Sequence, residues 1–405
     1  MKRIYFDHAA ATPIDPRVTA KMLPYFDMHY GNPSAIHKEG VIARKAVDEA
    51  RRTIAALLLV HGDEIIFTGS ATESANLALV GVVRAWQAAH PDRIPHMIVS
   101  AIEHDAVLAQ AGMLEREGIR VTRLPVDADG LVDLAELKEA ITLDTVLISV
   151  MYANNEIGTI EPVRDIAKII RRWKKEERGV TREGKPVGDE RYPLLHTDGC
   201  QAANYADMHI PSLGVDLMTL NAAKVYGPKG IGLLYVLRGT PLLSAIVGGG
   251  QERGMRAGTE NVSGIVGFAE ALTIARGMAE EESVRLTELR DHAIKRLREL
   301  SSEIVMNGSL TARLPNNVNF TIPNVDHEFA ALALDARGFA VATKSACNEF
   351  DAEISHVLLA IRGASMSMAP ASGIRLSLGR TTTKEDVDAF IETLKEILAT
   401  LIVSR

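Results

Sequence analysis

Short runs rich in β-branched residues alternate along this chain with stretches whose apolar residues recur at helical spacing, and that alternation restricts the fold more than any other feature. Ala43, Ala46, Val47, Ala50, Ile54 and Leu57 mark one amphipathic helix, and residues 65–67, 97–100 and 146–151 read as strands between such helices. The pattern continues through 194–197, 216–220 and 231–236. Strand and helix in strict turn predict a mainly parallel sheet with helices on both faces. After about residue 262 a long helical stretch runs to roughly 302. Strands near 318–321, 340–343 and 374–378 follow, with helices over 327–337 and from 384, which predicts a smaller α+β unit. Between 173 and 191 mixed charges and three glycines predict a solvated loop or hairpin.

With 405 residues and 47% apolar side chains, the chain can bury a large core. A net charge of −7 offers no broad attraction to nucleic acid or an anionic membrane. The first residues lack the apolar run of a secretion signal, and no later run has the length of a membrane span, so a cytoplasmic enzyme is expected. Two cysteines, Cys200 and Cys347, cannot build a disulfide framework or a four-thiolate cluster. Any cysteine chemistry is expected to use one thiol acting alone.

Several polar groups sit where strands should end. Ser70-Ala71-Thr72-Glu73 fits a capping box opening a helix, and a helix N-terminus after a glycine turn is suited to a phosphate. Glu103-His104, Asn154-Asn155-Glu156, Asp198 with Gln201, and Asn221 follow other predicted strands. In an open α/β sheet the carboxyl ends of the strands border the ligand crevice, so these segments are expected to converge. Lys224 lies just beyond one strand among small residues, with Lys229 as its rival by spacing. A lysine, an acid and an anion cradle suit pyridoxal phosphate, whose aldehyde, ring nitrogen and phosphate need one each. The turn Gly227-Pro228-Lys229-Gly230 lacks the spacing of an ATP-binding loop.

Taken in order, the segments Tyr5 through Thr12, Gly31-Asn32-Pro33-Ser34, Thr68 through Glu73, Glu103-His104, Asn154 through Gly158, Asp198-Gly199-Cys200-Gln201, Lys224 through Gly232, Gly248 through Val262, Ser345-Ala346-Cys347 and Ile374 through Gly379 carry a resemblance over nearly the whole chain. The sequence resembles the NifS/IscS-like cysteine desulfurases of the class V aminotransferase group. The resemblance implies a fold-type I pyridoxal-phosphate enzyme, with a seven-stranded, mainly parallel sheet in a large domain over 14–261 and a small domain from 1–13 and 262–405. It implies that Lys224 binds pyridoxal 5'-phosphate as a Schiff base, Asp198 pairs with the ring nitrogen and His104 stacks on the ring. Asn155 and Gln201 would bond its 3-oxygen, and Ala71-Thr72 would hold the phosphate, with Asn221 replacing a serine contact. Thr259 would complete the site of a partner subunit in a homodimer, and Arg375 would clamp the substrate carboxylate.

The same resemblance implies that L-cysteine is converted to alanine while Cys347 takes the sulfur as a persulfide, for an iron–sulfur scaffold, a tRNA-thiolating enzyme or another carrier. Cys200, next to Gln201, reads instead as a small buried hydrophobe. The family pattern departs at Ala223, where a histidine is usual, and at Lys344. A selenocysteine lyase, a related aminotransferase and a non-catalytic sulfur-assembly scaffold stand as alternatives.

Overall fold

The computed structural model describes residues 3–177, 189, 191–343, 355–362 and 372–403. Its strands are β1 (Ile4–Tyr5), β2 (Ile65–Thr68), β3 (His96–Ser100), β4 (Arg120–Leu124), β5 (Thr145–Ser149), β6 (Leu194–Asp198), β7 (Leu217–Asn221), β8 (Gly232–Val236), β9 (Val305–Met306), β10 (Asn317–Thr321), β11 (Phe339–Ala340) and β12 (Ile374–Ser377). Seven of them form one sheet in the order β2-β8-β7-β6-β5-β3-β4. Only β8 runs against its neighbours, and every other pairing in that sheet is parallel.

Strands β3, β5 and β6 are buried along their whole length, which is why they read as short apolar runs rather than alternating ones. Successive side chains still point to opposite faces. Ile98, Ile148 and Leu195 enter a core shared with the helices Lys38–Leu58 and Val163–Glu177, while Met97, Leu147 and Leu194 meet the helices Ala71–Ala89 and Asp105–Arg116 on the other face. The helix Val262–Leu300 joins the two halves of the chain. Ile265 and Phe268 belong to the first core, and Leu286, Ala293 and Leu297 to a second one with β10, β12 and the helix Lys384–Val403. One stretch of this helix is apolar enough for a bilayer, but 56% of it is buried inside the protein, so its apolar surface is used by the core.

The second core is covered by the antiparallel sheet β12-β10-β9. β1 pairs with β11 in parallel, so the first residues of the chain fold against its last third. The strand expected over 340–343 is shorter, because the chain divides between two partners. Phe339 and Ala340 pair with β1, and Ala342 with Arg375 in an isolated bridge. The expected loop from 173 is also corrected at its start. Trp173 extends the Ile166, Ile170 stripe of its helix into the core, so that helix runs to Glu177. Residues 178–188 and 190 lie outside the described residues.

Candidate active site

The carboxyl ends of β3, β5, β6 and β7 border a cavity of about 160 Å³. Ala71, Thr72, His104, Asn155, Asp198, Gln201, Asn221, Lys224 and Arg375 all line it, together with Ala9, Ala10, Ala106, Met151 and Cys200. Segments as far apart in sequence as Ala9 and Arg375 therefore converge, as the crevice rule for open α/β sheets requires.

Each side chain has a local reason for its place. Asp198 ends β6 two residues after His196, on the same face. His196 is fully buried between Ser149 Oγ (2.8 Å) and Thr219 Oγ1 (3.0 Å), a rung that ties β5, β6 and β7 together below the site. Burial lowers the His196 pKa to about 4, so this rung is neutral. Asp198 Oδ1 accepts from the Cys200 amide at 2.9 Å, which turns the chain at the strand end. Asn221 Oδ1 accepts from the Ala223 amide at 3.0 Å and starts the single turn Ala222–Lys224. Lys224 Nζ then donates to the carbonyls of Ala9 (2.8 Å) and Ala10 (2.6 Å). Lys229 is exposed, which resolves the rivalry between the two lysines in favour of Lys224 as the lysine at the cavity.

The N-terminal segment forms one wall. Gln201 Nε2 also donates to the Ala9 carbonyl at 3.0 Å, and the Ala223 carbonyl accepts from both the Thr12 amide and Thr12 Oγ1 at 3.0 Å. The Ala223 backbone thus anchors that wall. On the opposite side Ser70 Oγ caps the helix Ala71–Ala89 by accepting from the Glu73 amide at 3.1 Å, and Glu73 is held by Arg256 at 2.8 Å. Ala71 and Thr72 thus line the cavity from the N-terminus of this helix, where the first backbone amides have no partner within the helix itself.

Arg375 is almost wholly buried. Its Nη1 donates to the Asn155 carbonyl at 3.0 Å and its Nη2 to Asp7 Oδ1 at 2.6 Å, while its Nε has no partner among the described residues. The expectation of convergence needs one refinement. Glu103, Asn154 and Glu156, read beside His104 and Asn155 as pocket groups, are buried behind the lining. Glu103 Oε1 accepts from Ser100 Oγ (2.9 Å) and the Met151 amide (2.5 Å), and burial raises its pKa to about 8. His104 caps the next helix through Nδ1, which accepts from the Ala106 amide at 3.1 Å.

Thr259 is exposed and lines a separate cavity with Gly69 and Arg256. Cys200 is buried, and burial pushes its thiol pKa well up, which suits an inert side chain. Cys347 lies outside the described residues, as does Lys344. Sequence reasoning passed over Asp7 as a functional side chain, although it stands inside a segment that carried the resemblance.

The set fits pyridoxal phosphate. A lysine amine, a carboxylate at a strand end and a capped helix N-terminus face one cavity, and a buried guanidinium keeps an unsatisfied N–H beside them. A mainly parallel sheet carrying these groups at its carboxyl edge places the chain among the pyridoxal-phosphate enzymes. The sequence pattern of the family described as Aminotransferase class-V matches residues 4–176 and 185–390, and the chain belongs to that family. It is 42% identical over 402 residues to the cysteine desulfurase IscS of Dictyoglomus turgidum, covering 99% of this chain and 96% of that protein. The cysteine desulfurase IscS 1 of Archaeoglobus fulgidus is 40% identical, with coverage of 98% and 97%. Among solved structures, a NifS-like protein superposes with a TM-score of 0.86 at 34% identity, covering 98% of this chain and all of that one. SspA in complex with cysteine gives 0.76 at 34% identity, with coverage of 93% and 98%.

Proposed function

We propose that this protein is a cysteine desulfurase that converts L-cysteine to L-alanine and passes the sulfur to Cys347. The observation that carries the reading is where the chain enters the segment containing that cysteine. Ala342 is hydrogen-bonded in both directions to the Arg375 backbone, at 3.2 and 2.6 Å, and Arg375 lines the cavity. Cys347 follows five residues later, which at full extension gives it a reach of roughly 17 Å from that anchor. An enzyme that only exchanged amino groups has no use for a thiol so tethered.

Bound pyridoxal phosphate supplies the electron sink that lets the Cα–H and then the C–S bond of cysteine break. Lys224 Nζ would hold it, and the same amine would move the substrate Cα proton. Asp198 would keep the ring nitrogen protonated, His104 would lie against the ring, and Asn155 and Gln201 would hold its 3-oxygen. The Ala71 and Thr72 amides would receive the phosphate, with Asn221 beside them. Arg375 offers its spare N–H groups to the substrate carboxylate. The Cys347 thiolate attacks the substrate sulfur, so that an S–S bond forms as the C–S bond breaks, and the carbon skeleton takes up a proton and leaves as alanine.

The working form in this reading is a cytoplasmic homodimer with a large unit over 14–261 and a small one from 1–13 and 262–405. Thr259, exposed and away from the cavity of its own chain, serves the partner's phosphate site. An exposed apolar run of Leu23, Phe26, Met28, Tyr30 and Ile36 supports such an interface. The persulfide then goes to an iron–sulfur scaffold or a thiolating enzyme. The test is product analysis with the purified holoenzyme. Equal amounts of alanine and reducible sulfur from cysteine are expected, whereas exchange of amino groups with a keto acid and no sulfur release contradicts the reading.

A further inference from the structure

The chain that leaves Cys347 is described again from Ser355, and three separate contacts tie it to the strand ends around the cavity. Ser355 Oγ donates to Glu156 Oε2 at 2.6 Å, with both residues buried. His356 Nε2 lies 3.0 Å from the main-chain carbonyl of Glu103, and because a carbonyl only accepts, that ring nitrogen carries the proton. Val357, Leu358 and Ile361 then pack with Ile102, Met151 and Ile157 in an apolar cluster of their own.

The addresses of these bonds matter. Glu103 precedes His104 and Glu156 follows Asn155, so both bonds land one residue from a side chain that lines the cavity. Packing of the apolar cluster holds the helix His356–Arg362 against the sheet, but apolar contact is non-directional and leaves its register loose. Two hydrogen bonds at normal length fix that register.

We propose that Ser355 and His356 are positioning residues, which register the chain leaving Cys347 against the strand ends that carry His104 and Asn155. Transfer of sulfur to the thiol then depends on them, and binding of cysteine does not. The inference rests on the reading of Cys347 as the sulfur acceptor.

The test compares wild-type holoenzyme with the His356→Ala, His356→Gln, Ser355→Ala and Cys347→Ser variants. Rapid quenching and mass spectrometry give the rate of persulfide formation, and the absorbance change on adding cysteine gives its half-saturating concentration. His356→Ala and Ser355→Ala are expected to slow persulfide formation at least tenfold, with half-saturation within threefold of wild type. Gln places an amide donor where Nε2 stood, so His356→Gln should return to within threefold of the wild-type rate. An unchanged rate in His356→Ala, a Gln variant as slow as the Ala variant, or a parallel loss of cysteine binding overturns the positioning role and leaves the acceptor assignment intact. Wild-type persulfide in Cys347→Ser overturns the acceptor assignment itself, and the positioning role with it.

Discussion

Asp7 Oδ1 meets Arg375 Nη2 at 2.6 Å, an ion pair between residues 368 positions apart that holds a guanidinium lining the cavity. Arg375 is buried and Asp7 partly so, and removing Asp7 leaves the buried guanidinium without its counter-charge, at a cost of about 3 kcal/mol. Asp7→Ala should therefore lower the unfolding free energy by about that amount. Asp7→Ala with Arg375→Ala should cost clearly less than the two single changes added together. Strict additivity in urea unfolding would show that the pair is not coupled.

The pH dependence of stability should carry the mark of the buried carboxyls. Glu103 and Glu161 have folded pKa values raised to about 8 by burial, against 4.5 in the unfolded chain. Between those values the folded state keeps protons that the unfolded state has lost, so this stability is full below 4.5 and falls as pH rises through 8. Buried His8, His96 and His196, lowered to about 4 from 6.5, act oppositely, and their contribution is lost as pH falls below 6.5. From pH 6.5 to 8 only the carboxyls operate within this set, each at about 1 kcal/mol per pH unit. Glu103→Gln keeps the Oε1 acceptor without the titration. Urea midpoints of this variant should fall less over that range than those of wild type, and equal falls would reject the assignment.

Lys224 donates into the cavity wall, while Lys229 is exposed beyond it. Borohydride reduction followed by peptide mapping should place the cofactor on Lys224 alone. A labelled Lys229 peptide would displace the whole site.

Much of this was legible in the sequence, for reasons that differ by element. β3, β5 and β6 are covered on both faces, so burial wrote itself as apolar runs, and polar groups just past such runs were bound to meet at one edge. β4, Arg-Val-Thr-Arg-Leu at the sheet edge, has solvent on much of its surface and left no such run. The paired residues Asp7 and Arg375 have no local signal, because only the parallel pairing of β1 with β11 and the bridge from Asp7 to Ser377 bring them together. Glu103 stood beside a true lining residue, and sequence could not tell a carboxyl that faces the cavity from one that braces two strand ends behind it.

Cys200 provides an internal control. Its Sγ is buried 3.8 Å from the Thr219 carbonyl, and its raised pKa keeps it a thiol. Cys200→Ala should retain desulfuration within threefold and cost about 1 kcal/mol of stability, the worth of one small buried group. A loss of sulfur transfer with the fold intact would give this cysteine a role it is denied here.

The central claim is that Cys347 receives the sulfur, and peptide mass spectrometry of holoenzyme quenched after a single turnover with cysteine tests it directly. A mass increase of one sulfur on the Cys347 peptide, absent from the Cys200 peptide and from Cys347→Ser, is the predicted result. Alanine formed at the wild-type rate with no persulfide on Cys347 would contradict the account.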